Sequence, residues 1–379
     1  MGFSDVTGGL SGIGAMRHAS RSPRVGWRAA LLVGLLAALV CTASPATATF
    51  PGRDGRIAFA DFITGQIYAV NPDGTGLAQL THTDARHVTF SPEWTADGRV
   101  TFSLLRANTP EDHARIWIMN ANGTDQHRLA GDAPGYRDYG ATLTPDGSIV
   151  FVRCKPDNGV CAIWIMRSDG TGKRPLTPYR EGQNEAIDFF PTVSPDGRHV
   201  AFTRFAWKGI AAQVYEMRID GSGEHAITPA ALEATSPDYS PDGSLVVVHS
   251  QAVRLGSNIY SLHRDGTHVT RLTRTAYPNN DIDPTYSPRG DRIAFSSDRR
   301  YDDFCCADLF AMTGGGTEEY RVPTDGIQGV VQVAWGSAPL VTDAEAARLA
   351  PVTPAEPAAS AGARSWCTSV PAIMRMRFC

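Results

Sequence analysis

Three aspartates occupy one fixed place in a repeating pattern. Asp138, Asp188 and Asp281 each stand six residues before the Ser or Thr that opens a tight turn, at Thr144, Ser194 and Ser287, and Asp283 adds a carboxylate beside the last. Carboxylates gathered around one axis can hold Ca²⁺, a polyamine or the basic side chains of a partner peptide, because a dense acidic set attracts cations. The local alternative is that each aspartate caps its own loop through an Asx-type bond to a nearby N–H. Acid–base catalysis by two of them requires the pair to face one another. Other reactive groups are sparse. The nine histidines after residue 48 show no HxH or HxxxH metal spacing, and no C-x-x-C or G-x-S-x-G sequence occurs.

The aspartates are carried by a repeated turn and strand. Ser194-Pro195-Asp196-Gly197, followed by His199–Arg204, recurs as Thr144-Pro145-Asp146-Gly147, Ser240-Pro241-Asp242-Gly243 and Ser287-Pro288-Arg289-Gly290, with a worn copy at Thr95-Ala96-Asp97-Gly98. In each, Pro presets φ at the corner and Gly takes φ > 0 without a Cβ clash. The copies start 49, 50, 46 and 47 residues apart, a period that belongs to propellers and solenoids.

Each unit reads as four strands. In the unit around residue 200 they run Phe189–Val193, His199–Arg204, Gln213–Met217 and Glu224–Thr228. The second strand alternates on a period of two, as in Val200/Phe202 and Ile293/Phe295. The third carries an aromatic at one place (Tyr68, Trp117, Trp164, Tyr215, Tyr260, Phe310), which recurs in every unit and so reads as packing between blades rather than a stacking platform for a ligand. An Asx-Gly hairpin turn, such as Asp220-Gly221, precedes most of the fourth strands. Strands two to four occur six times, but only five first strands precede them. The missing one stands at the far end, at Val331–Trp335. The expected fold is all-β: a six-bladed propeller of four-stranded antiparallel blades, closed three-plus-one by N- and C-terminal strands so that no edge is left open.

Here the residues resemble a family. Pro284–Arg299, Pro191–Phe202 and Pro237–Val248 look like the WD40-like (PD40) propeller repeat of the TolB family, and the likeness covers about residues 52–337. It implies a six-bladed propeller similar to the C-terminal domain of TolB, a periplasmic protein of the Tol–Pal envelope system. TolB carries an α/β domain before its propeller, for which there is no room between Ala48 and Arg56, so Pal docking does not carry over. Related propellers precede hydrolase domains in prolyl oligopeptidase-type peptidases. No such domain follows Leu340, which excludes a serine peptidase of that kind.

Arg17, Arg21, Arg24 and Arg28 precede the apolar run Ala29–Cys41 and the small residues ending at Ala48, the pattern of an export signal over 1–48. About thirteen apolar residues are too few for a permanent span, which needs about 20. Without residues 1–48 the chain holds 31 Lys and Arg against 38 Asp and Glu, a poor match to nucleic acid or an anionic membrane. In an exported protein, Cys154 and Cys161, flanking a six-residue hairpin loop, are expected to form a disulfide. Cys305, Cys306, Cys367 and Cys379 could add bridges. The propeller is expected over 49–340, with an Ala/Pro-rich disordered tail over 341–379.

The expectation is thus an exported, monomeric, non-enzymatic scaffold of the periplasm, envelope or exterior. It binds a protein or peptide through Asp138, Asp188, Asp281 and Asp283 at the channel mouth, with no resident cofactor and Ca²⁺ as the alternative. The competing reading is a propeller lyase or hydrolase acting on a polysaccharide, for which His87 is the one histidine near a mouth loop.

Overall fold

The computed structural model describes residues 51–349 except 85, 107–113, 130–134, 156–158, 182–185, 207–210, 251–255 and 302–305. These belong to the unit Pro45–Cys379. The export signal over 1–48, Cys305, Cys367, Cys379 and the chain beyond 349 lie outside the described residues.

The alternation of apolar residues resolves into six antiparallel four-stranded sheets. Their inner strands are Val330–Trp335 (blade 1), His87–Trp94 (2), Arg137–Leu143 (3), Ala186–Val193 (4), Ala234–Tyr239 (5) and Asp281–Tyr286 (6). Each packs beside the next and the sixth beside the first, which makes a ring. Blade 1 joins both ends of the domain: Val330–Trp335 pairs antiparallel with Ile57–Asp61, and Trp335 Nε1 donates to the Gly55 carbonyl at 3.0 Å. The three-plus-one closure expected from the strand count is present.

The Ser-Pro-Asp-Gly turns hold by the same few bonds in successive blades. Ser194 Oγ donates to Asp196 Oδ1 at 2.6 Å, and Gly197 N donates to the Ser194 carbonyl at 2.8 Å. Gly197 has φ 69°, and a Cβ there would lie 2.7 Å from Pro145 Cδ of the preceding turn. The glycine therefore serves both the local corner and the nesting of one blade's turn on the next.

Second-strand aromatics are fully buried and stack on third-strand aromatics of the same blade: Phe59 on Tyr68 at 5.8 Å, Phe202 on Tyr215 at 6.0 Å, Phe295 on Phe310 at 5.8 Å. Such cross-strand pairs add about 0.5–1.5 kcal/mol each beyond their burial. The expected aromatic stripe thus packs within blades 1, 4 and 6, and also between blades, as where Tyr68 shares a core cluster with Leu309 of blade 6.

The chain does not leave the propeller at Leu340. Residues 341–349 strap onto blade 1, ending in a helix, Asp343–Leu349. Asn71 brackets Val341, its Nδ2 donating to the carbonyl at 2.6 Å and its Oδ1 accepting from the N–H at 3.2 Å. Thr342 and Glu345 form the reciprocal helix-start pair, and Ala346 is buried. Gly76 links this strap to the interior. Its N–H donates to Asp343 Oδ1 at 2.6 Å, and its carbonyl accepts from the buried Arg56 guanidinium at 3.2 Å. Ala-rich composition suggested disorder, but an N-terminal Thr, a Glu three residues on and an apolar Ala346 face are enough to dock one short helix.

Candidate functional site

The inner strands share a feature that the repeat pattern did not reveal. In every blade two inner-strand residues oppose one second-strand residue, and the first of the two is left-handed. These residues are Ser91, Gly140, Phe190, Ser236, Asp283 and Gln332, with φ between 49° and 53°. The residue opposite each bulge is Phe102, Phe151, Phe202, Val248, Phe295 or Phe59. Only Gly140 takes this conformation without a Cβ penalty, so five strained residues are held around the axis by their surroundings. Pro follows in four blades (Pro92, Pro191, Pro237, Pro284), where a missing N–H removes no ladder bond.

The neighbouring blade anchors these bulges. Gly140 N donates to Ser103 Oγ at 3.0 Å, Ser236 N to Thr203 Oγ1 at 3.1 Å, and Asp283 N to His249 Nδ1 at 3.2 Å, each acceptor lying one residue after a second-strand aromatic or its equivalent. Across the closure, Gln332 N donates to Asp283 Oδ2 at 3.0 Å and Ser91 N to Gln332 Oε1 at 2.8 Å.

The bulges line a central cavity to which all six blades contribute. It holds about 800 Å³, the space open to solvent included. Phe189, Phe190, Tyr139 and the bulge prolines give it an apolar wall; Glu93, Asp238 and Asp283 give it three carboxyls. Glu93 and Asp238 occupy the same strand position in blades 2 and 5, which stand opposite in a ring of six, with Thr142, Thr192 and Thr285 at that position in blades 3, 4 and 6.

The two carboxyls are treated differently. Asp238 Oδ2 accepts from Thr285 Oγ1 at 3.0 Å and Tyr286 N at 2.9 Å, and Oδ1 accepts weakly from Thr192 Oγ1 at 3.4 Å. Among the described residues no donor reaches the Glu93 carboxyl. Although Glu93 keeps some exposure to the cavity, protein surrounds it: burial pushes its pKa up to about 8, and the Asp238 charge adds to the rise.

Of the four aspartates singled out in the sequence, only Asp283 lines the cavity. The other three stand nearer the start of their strands, each against an arginine. Asp138 is paired by Arg153 through two bonds of 2.8 Å, and Asp188 by Arg204 at 2.7 and 2.9 Å. Asp281 accepts from Arg299 at 2.6 Å, Ser297 at 2.7 Å and Thr275 at 2.7 Å. Every one of these guanidiniums also lies over its blade's aromatics: Arg153 over Trp164, Arg204 over Tyr215 and Arg299 over Phe310, at 4.9, 4.4 and 4.8 Å. His87 is hydrogen-bonded to Asp84 at 2.7 Å and does not line the cavity. Cys154 and Cys161 form the expected disulfide across a hairpin.

Among the described residues no three His, Cys, Asp or Glu side chains converge as a metal cage. No helix among them is long and apolar enough to cross a membrane.

Comparison with known proteins agrees with the fold. Residues 165–331 match the family described as the TolB beta propeller domain. The chain is 31% identical over 208 residues to an uncharacterized protein of Agrobacterium fabrum, covering 55% of this chain and 65% of that protein. It is 28% identical over 173 residues to a TolB homolog of Chlorobium chlorochromatii, covering 46% and 36%. The crystal structure of TolB from Acinetobacter baumannii aligns at a TM-score of 0.57 and 20% identity, over 75% of this chain and 67% of that one. The chain thus spans less than two thirds of the length of the curated relatives it matches.

Proposed function

From the premise that this chain carries a TolB-type six-bladed propeller, matched over residues 165–331, we propose that it is a non-enzymatic scaffold that binds a protein or peptide at its central channel. The observation that carries this reading is the cavity itself. It is rimmed by six bulges, five of them strained, walled by aromatic and proline residues, and equipped with a few carboxyls, the composition of a recognition site rather than a packed core. Asp283, at the closure between blades 6 and 1, is the member of the predicted set that such a ligand meets. Asp138, Asp188 and Asp281 support the site from behind by fixing the start of each inner strand through their arginines.

Export to the periplasm, envelope or exterior fits the Cys154–Cys161 disulfide and the basic-then-apolar N-terminal segment. The test is a cross-linking pull-down from the cell envelope, with the mature chain carried through Leu349 so that the strap is retained. One stoichiometric partner, lost on Phe190→Ala with the melting temperature preserved, supports a channel-binding scaffold. Recovery of a partner indifferent to every channel substitution moves the site elsewhere on the ring.

The competing enzymatic reading has one observation in its favour: a carboxyl near pKa 8, Glu93, opposite a hydrogen-bonded carboxylate, Asp238. Turnover of an oligosaccharide that Glu93→Gln abolishes would replace the scaffold by a lyase or hydrolase.

A further inference from the structure

The charge along the channel identifies what enters it. The fold gives an arginine to each of the three aspartates outside the cavity, yet among the described residues the cavity wall holds Glu93, Asp238 and Asp283 and no Lys, Arg or His. Glu93 receives no hydrogen bond from any described residue. A carboxyl facing the cavity opposite a second carboxylate, with no donor supplied by the described residues, leaves a place for a donor from outside. The two groups project from opposite blades rather than converging as a cage, which suits one organic cation between them.

Resting on the peptide-binding reading, we propose that the occupant is a peptide segment that inserts one lysine or arginine side chain into the channel. Its head is received between Glu93 of blade 2 and Asp238 of blade 5, and its aliphatic stem lies along Phe190 and the bulge prolines. The amphipathic shape of these side chains, a long apolar stem under a charged head, matches a cavity whose wall is apolar and whose charges are few. Entry of a cation favours the ionised form of Glu93, so binding releases a proton wherever the empty channel holds Glu93 neutral. Among the described residues, the titratable groups facing that site are Asp238, Asp283 and Tyr139.

The experiment is titration of the mature chain with labelled peptides Gly-Ser-X-Ser-Gly, where X is lysine, arginine, norleucine or acetyl-lysine. Free spermidine is titrated in parallel. The expected result is binding of the lysine or arginine peptide on the order of tenfold tighter than norleucine, with proton uptake by the buffer at pH 7. Glu93→Gln removes that preference. It costs no described hydrogen bond, so its fold is expected to survive, and a melting curve checks this; Asp238→Asn is the second variant. Equal affinity for all four peptides, absence of binding, or a preference that survives Glu93→Gln overturns the proposal. Spermidine binding without peptide binding assigns the channel to a small polyamine instead. An envelope partner captured equally by wild type and Glu93→Gln sinks the cationic insertion alone, whereas failure of the wild type to capture any partner sinks the scaffold reading as well.

Discussion

Asp188 and Arg204 face each other across the first two strands of blade 4, Oδ1 2.7 Å from Nε and Oδ2 2.9 Å from Nη2. Burial opposes the Arg204 charge, but Glu224 and Asp188 outweigh it and hold the guanidinium pKa above its ordinary value. Removing Asp188 leaves Arg204 paired with Glu224 alone. Asp188→Asn is therefore expected to destabilise the domain by about 1–3 kcal/mol, while the paired change Asp188→Leu with Arg204→Met restores most of the loss. Thermal denaturation of the three proteins checks this. A ligand-binding aspartate would instead leave the melting temperature unchanged.

Glu93 predicts a pH dependence. Folded, it keeps its proton to about pH 8; unfolded, it releases it near the usual 4.3. The folded state therefore binds more protons between those values, so this group's contribution to stability falls as pH rises through that window and is flat above it. Glu93→Gln is expected to melt within about 1 °C of wild type at pH 5 and at least about 3 °C above it at pH 9. Parallel melting curves at the two pH values decide the matter.

The strap over blade 1 should be worth measuring by truncation. A chain ending at Leu340 loses the Asn71–Val341 bracket, the Gly76–Asp343 bond and the cover supplied by Ala346. The expected cost is about 2–4 kcal/mol relative to a chain ending at Leu349. Hydrogen exchange at Gly76 should accelerate in the shorter chain and, to a smaller degree, in Asp343→Ala.

The disulfide closes a loop of eight residues in blade 3. Loop-closure entropy puts its contribution at about 2–3 kcal/mol. Cys154→Ala with Cys161→Ala should lower the melting temperature of the mature chain accordingly, and a reductant should then have little further effect through this bridge.

The blades were legible because turn chemistry and alternation recur: Pro-Asp-Gly at the corner, Phe202 and its equivalents two residues after the first apolar residue of the strand. The bulges were not, because left-handed residues usually announce themselves as glycine and here only Gly140 does. The signal available was the proline after Ser91, Phe190, Ser236 and Asp283, a residue that an inner strand ordinarily rejects. The aspartates were found by position but not their partners, since Arg153 and Arg204 become visible only when the register of adjacent strands is laid out. Glu93 carried no repeat signature at all. It shares its place with Thr142, Thr192, Asp238 and Thr285, so its meaning lies in being opposite Asp238 rather than in any local motif.

The joint in blade 1 sets a timetable for assembly. Ile57–Asp61 must wait for a sheet partner that follows it by more than 260 residues of chain, at Val330–Trp335. Closing so long a loop costs about 5 kcal/mol of chain entropy, which no neighbour along the sequence can offset in advance. Until those last residues arrive, the first strands present an unsealed edge able to recruit other chains. The hazardous period in this protein's life is thus the one before its final blade strand emerges, and a chaperone that shields residues 57–61 would act in that interval.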